Sequence, residues 1–161
     1  MAVPVHLILK DDGGSQIMGS CDVDGRDGSI ELRSLQHGVV IPTDPLTGKV
    51  TGSRQHCSFN FTKEIDSSSP YLFKAVATGQ TLKSAEFQFY RINYSGQEEI
   101  YYTITLENVK VVSHSPLMHD TRNVTGTGHM EDVSLSYEKI IHLYKDGNIL
   151  HSDAWNEKKQ A

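Results

Sequence analysis

A chain of 161 residues with 15 Lys and Arg against 20 Asp and Glu carries a formal charge of −5. That length suits a single domain, residues 1–161, which can bury roughly two-thirds of its unfolded surface. No Lys/Arg block or stripe stands out, which argues against nucleic acid as a partner, and no apolar run approaches the ~20 residues that membrane insertion by a helix needs.

The N-terminal MAVPVHLILK lacks the basic flank of a signal peptide, and Pro4 and His6 interrupt its apolar run. It reads instead as a first strand with Val3, Val5, Leu7 and Leu9 on one face. Two cysteines, Cys21 and Cys57, without an export signal point to reduced thiols in a cytoplasmic chain. The sequons at Asn60, Asn93 and Asn123 then carry no glycan meaning.

Ile30 and Leu32, then Leu35, Val39 and Ile41, mark a second long strand whose apolar phase slips near Ser34. A slip of one residue in a clean alternation is what a β-bulge leaves in sequence. The polar segment PTDPLTGKVTGS at 42–53 follows; a loop of about this length in a compact domain is usually functional or mobile.

From Arg54 to Lys63 the odd positions Cys57, Phe59 and Phe61 are apolar and the even ones polar. The period of two predicts a strand with Cys57 in the core and His56 on the opposite face. A cysteine and histidine so divided cannot form a nucleophile–base pair. In SSSPYLFKAVATG, Ser69 offers an N-cap, Pro70 the first helical position and Gly79 a left-handed stop. One short helix is predicted over Pro70–Thr78, with Leu72 and Val76 facing the sheet.

Ser95-Gly96 marks a hairpin turn, and Ile100, Tyr102, Ile104 and Leu106 form a strand that slips by one residue before Val109 and Val111. A second polar segment covers 114–131. Val133, Leu135, Tyr137, Ile141 and Leu143 predict one strand from Glu131 to Lys145, before a turn at Asp146-Gly147. The sum is a mainly β protein: an antiparallel β-barrel of two packed sheets with one short flanking α-helix.

Catalytic signals are poor. No G-x-S-x-G or H-E-x-x-H occurs, and neither Gly13-Gly14 nor the Gly126/Gly128 pair sits at a strand-to-helix turn suited to phosphate. His114, His119 and His129, with Asp120, have ligand chemistry but match no tight metal-binding spacing. No catalytic residue, metal or cofactor is therefore expected. Several strands instead carry small polar residues on their outer positions: Ser34 and Gln36; Ser58, Asn60 and Thr62; Thr103 and Thr105; Ser134 and Ser136. Such faces suit a wet cavity or a subunit contact, although an ordinary β-surface accommodates the same pattern.

The segments LKDDGG (9–14), DGRDGSIEL (24–32), HGVVIPTDPLTGKVTGSRQH (37–56), FTKEIDSSSPYLFKAVATGQTLKSAEF (61–87), YRINYSGQEEIYY (90–102) and DGNILHSDAWNE (146–157), in that order, resemble the haemolysin-coregulated protein (Hcp) family. That family supplies the tube subunit of bacterial type VI secretion systems. The resemblance implies a small β-barrel with a helix at its side, closed as a homohexamer around a wide channel. It further implies stacked rings, a trimeric spike protein at the tube tip, a contractile sheath outside and effector cargo within. The protein would be structural, not an enzyme, and would leave the bacterial cytoplasm without a signal peptide. Nothing after Trp155 is expected to form a fused toxin domain.

Carried onto this chain, the 42–53 segment corresponds to an extended loop, which implies neighbour or stacking contacts for Asp44, Thr47, Lys49 and Thr51. The preceding strand lies along the channel in the family, which implies lumen and effector contact for Ser34 and Gln36. Two other readings remain at this stage. One is a ligand-binding β-barrel module, a monomer with a pocket near 114–131; the other is a metal-dependent enzyme built on the three loop histidines.

Overall fold

The computed structural model describes residues 2–157; the expectation about the tail beyond Trp155 lies largely outside them. Eleven strands and one helix follow in order: β1 (His6–Lys10), β2 (Gln16–Ile17), β3 (Ile30–Gln36), β4 (Val39–Val40), β5 (Gln55–His56), β6 (Phe59–Glu64), α1 (Ser69–Thr78), β7 (Thr81–Ile92), β8 (Glu98–Leu117), β9 (Met130–Ser136), β10 (Lys139–Tyr144) and β11 (Ile149–Ala154). All strand pairings in the main sheet are antiparallel. The order β8-β7-β1-β3-β6-β9 closes on itself because β9 also pairs β8. This is the expected barrel. Among the described residues no helix is long and apolar enough to cross a membrane.

The closed core follows from the period of two. Leu7, Leu9, Phe87, Leu106, Phe59 and Leu135 are all inaccessible to solvent. Phe87 from the β1-β7-β8 side stacks on Phe59 from the β3-β6-β9 side, with ring centroids 4.2 Å apart. The two layers therefore meet through aromatic contact, worth about 0.5–1.5 kcal/mol beyond area burial. Helix α1 packs against β8, with Leu72 and Ala75 buried, and ends at Gly79, left-handed at φ 68°. It begins one residue earlier than predicted, with Ser68 rather than Ser69 at the N-cap. Ser69 turns its hydroxyl inward and donates to Glu131 instead (2.7 Å).

The predicted slip near Ser34 is a register shift between Leu32 and Ser34 against β6. The extra residue, Arg33, points outward and pairs with Glu64. The slip in β8 lies at Asn108, a left-handed residue at φ 52°. Before it Ile104 and Leu106 point inward; after it Val109 and Val111 do.

Four expectations need correction. The strand predicted over Glu131–Lys145 is two strands, β9 and β10. Both run along the same edge of β8, and the interruption at Tyr137-Glu138 faces the left-handed Asn108, whose side-chain amide donates to Glu138 (2.8 Å). The partner's phase flips with it, from Val133 and Leu135 to Ile140. The long strand expected to reach Ile41 stops at Gln36. Cys57 is exposed and His56 buried, the reverse of the prediction. The reason is a break between β5 and β6: the Cys57 amide donates to Gly38 O (3.0 Å), and the alternation restarts at Phe59. Finally, β8 extends to Leu117, so the second polar loop covers only 118–129 and His114 lies on a strand.

Candidate functional site: a polar sheet face and an extended loop

Register brings together residues far apart in sequence. Gln36 pairs Asn60, Asn60 pairs Ser134, and Ser134 pairs Ser113. One step along, Ser34 pairs Thr62, Thr62 pairs Asp132, and Asp132 pairs Ser115. Directly opposed residues share a face, so these two rows form one polar field across four strands on the outside of the barrel. Ser34, Gln36, Asn60, Thr62, Asp132 and Ser134 line a shallow depression there. Thr103 and Thr105 belong to a separate region, where they pair Gln88 and Glu86.

The β3 bulge decides this placement. Ile30 and Leu32 point into the core; without the extra residue Arg33, Ser34 and Gln36 would follow them inward. The centre of the field is also internally satisfied. Thr62 Oγ1 donates to Asp132 Oδ1 (2.7 Å), and Ser134 Oγ donates to Asn60 Oδ1 (2.6 Å). Among the described residues the side chains of Ser34 and Gln36 at one margin, and of Ser113 and Ser115 at the other, make no hydrogen bond within the chain.

The extended loop is an ordered hairpin. A bridge joins Thr43 to Val50, the Asp44 amide donates to Lys49 O (2.8 Å), and the Gly48 amide donates to Asp44 O (2.8 Å). The Leu46 amide donates to Asp44 Oδ1 (2.8 Å), and the Lys49 amide to Thr47 Oγ1 (3.3 Å). Asp44 and Thr47 therefore shape the tip, whereas Lys49 and Thr51 stand exposed on it. Leu46 at the apex is 94% exposed.

The loop's base is tied to the C-terminal strand by a network that no sequence pattern signals. His56 Nε2 lies 2.8 Å from Asp153 Oδ2, and His56 Nδ1 lies 2.8 Å from the Tyr137 hydroxyl. That hydroxyl lies 2.6 Å from His37 Nε2. If His56 Nε2 donates to the carboxylate, its Nδ1 accepts from Tyr137, whose oxygen then accepts from His37 Nε2–H. Arg54 donates to Asp153 Oδ1 (3.0 Å), and Trp155 stacks on His56 with centroids 5.5 Å apart. Burial first, and then the neighbouring His142 and His56, hold the His37 pKa below its ordinary value.

A second network lies beneath α1. Lys63 and Glu131 are both inaccessible and form an ion pair. Lys63 Nζ also donates to Asp66 Oδ1 (3.0 Å) and Glu64 O (2.9 Å), using all three of its protons. His114 Nε2 lies 2.6 Å from Glu131 Oε2. His114 is thus directed at a buried carboxylate, while His119 and His129 belong to the 118–129 loop beside Met118 and Val124. Among the described residues no cluster of three or more His, Cys, Asp or Glu is arranged to hold a metal ion.

The family pattern described as "Type VI secretion system effector, Hcp" matches residues 8–144. The chain belongs to the Hcp family. It is 35% identical over 141 residues to the "Major exported protein" of Pseudomonas aeruginosa, covering 86% of this chain and 81% of that one. A solved structure of a mutant Hcp1 from E. coli EAEC 042 superposes with a TM-score of 0.88 at 61% identity, over 96% of this chain and 99% of the other. Hcp3 of P. aeruginosa, a secreted protein, gives a TM-score of 0.79 at 26% identity, over 97% and 100%. The barrel, its flanking helix and the separate two-stranded β4-β5 sheet are thus the Hcp fold. The chain is a type VI secretion Hcp protein, and the family is one of structural, secreted proteins.

Proposed function

We propose that this Hcp protein is the tube subunit of its secretion system. Six copies close into a ring, rings stack into the inner tube, and effectors travel in the lumen without chemical conversion. A trimeric spike caps the tube and a contractile sheath surrounds it. The protein waits in the bacterial cytoplasm and leaves in the expelled tube. Family membership over residues 8–144 is the observation that carries this reading. It is supported by the polar field of β3, β6, β9 and β8, which suits a lumen lining.

Ser34 and Gln36 are the proposed lumen contacts. They lie at the margin of a field whose central groups already bond one another, so cargo meets few unsatisfied partners and is held weakly. Asp44, Thr47, Lys49 and Thr51 are the proposed stacking or subunit-contact residues, because their hairpin projects from the barrel as an ordered element. Native mass and negative-stain imaging of the purified protein test the reading. A six-subunit particle with an open centre is expected; a monomer at high concentration would count against it.

A further inference from the structure

Tyr137 has one hydroxyl proton and two imidazole neighbours, His37 Nε2 at 2.6 Å and His56 Nδ1 at 2.8 Å. Its side chain is buried, and that burial pushes the phenol pKa upward, so the hydroxyl keeps its proton throughout the acid range. Proton counting then limits the network. With both rings neutral, one donates to the hydroxyl oxygen and the other accepts from it. One extra proton is accommodated on either ring, because the hydroxyl turns towards whichever nitrogen still accepts. With two extra protons both rings are donors only, and the hydroxyl hydrogen has no acceptor between them.

Charge opposes the second proton too. Asp153, which faces His56 Nε2, already pairs with Arg54 on β5, so each added proton leaves an uncompensated positive charge. His142 on β10 is close enough to His37 to disfavour its protonation, and His151 on β11 lies opposite His142. Glu157 near Arg54 and the Cys57 thiol near Tyr137 are further titratable groups around the network, and β6 presents Phe59, stacked on His37 at 5.1 Å.

We propose that these residues form an acid-sensitive latch: the second proton expels His37 from Tyr137, and the base of the 37–56 hairpin opens while the barrel core stays folded. His37 leaves because it is half-buried and water can take over its bonds, whereas His56 is buried and held by Asp153 and the stacked Trp155. The backbone bonds nearest to it loosen first: Gly38 O accepts from the Cys57 amide (3.0 Å), and Val39 pairs His56. Such local opening needs no global unfolding. The step lies on the acid side of 6.5, the ordinary histidine value. The latch works within one chain, independently of how copies assemble.

Hydrogen exchange of the full chain, read by mass spectrometry at pH 7.5 and pH 4.5 and corrected for the intrinsic pH dependence of amide exchange, tests this. Peptides covering 37–57 should exchange about fivefold faster or more at pH 4.5, while β7 keeps its protection. Unchanged protection over 37–57, or an equal loss in β7, would overturn the latch. His37→Gln supplies the second arm, since a glutamine amide both donates and accepts but takes no proton. Its hairpin base should remain protected at pH 4.5. The same acid opening as in wild type would assign the effect to another contact and sink the proposal. Should that variant fail to fold, the wild-type comparison decides on its own.

Discussion

Lys63 sits on the inward phase of β6, in series with Phe59 and Phe61, at a position where a hydrophobe is the ordinary choice. A charge there is tolerable only because every proton on the ammonium is used, by Glu131, Asp66 and the Glu64 carbonyl. Glu131 is satisfied in turn by Ser69 (2.7 Å) and His114 (2.6 Å). Burial pushes the Asp66 carboxyl upward, but hydrogen bonds from Ser68 and Lys63 outweigh it and hold its pKa below the ordinary value. The network joins β6, the start of α1, β8 and β9 at one point. Lys63→Met fits the space yet strands buried carboxylates without a cation, and removing one partner of a buried pair costs about 3–5 kcal/mol. The expected outcome is a drop of that size in unfolding free energy, read from the urea midpoint. A loss under 1 kcal/mol would mean that Glu131 is stable in this site without Lys63.

At the level of elements, three half-buried or buried histidines share one sign. Burial is the largest cause in each case: it lowers the pKa of His6 beside Arg26, of His37 at the loop base, and of His142 beside His151. A histidine whose folded pKa lies below its unfolded value binds fewer protons folded than unfolded, so stability rises with pH across that window. Stability should be intact above the ordinary value of 6.5 and fall as pH drops from there towards the lowered folded values. Thermal unfolding at pH 7.5 and pH 5 checks this, and an unchanged Tm would contradict it. Much of the element map was legible, because period-two runs such as Val133–Leu135 and the Pro70–Gly79 helix signals are local. β7 is not among the strands the alternation singles out: its apolar set steps from Leu82 to Ala85 before Phe87 and Phe89, which blurs the period. The reversal of His56 and Cys57 had no local signal either, since it depends on Tyr137 and Asp153, which lie more than 80 residues away in sequence and satisfy His56 where a phenylalanine would find no partner. The outward placement of Ser34 and Gln36 was legible from the bulge-like slip near Ser34. Their neighbours Asn60, Thr62, Asp132 and Ser134 became one field only through register.

For the whole molecule, the tube reading proposed above divides two tasks between different surfaces of the barrel. The β3-β6-β9-β8 face carries small polar groups that bond across strands, whereas the hairpin tip exposes the apolar side chain of Leu46. Adhesive surface located where copies meet, and quiet surface where cargo passes, is what a conduit requires, since strong contacts with cargo would slow its release. The proposed lumen role of Gln36 follows from this division. Gln36 is exposed beside the Asn60–Ser134 pair and makes no hydrogen bond of its own among the described residues. Gln36→Arg places a long cation there without touching the core, so the fold should change by no more than about 0.5 kcal/mol, as for ordinary surface substitutions. Native mass should still report the six-subunit particle, while effector co-purified with the ring should fall several-fold through altered charge and narrowed passage. Retention equal to wild type would place the cargo-facing surface elsewhere on the ring. Loss of the ring would assign Gln36 to a subunit contact.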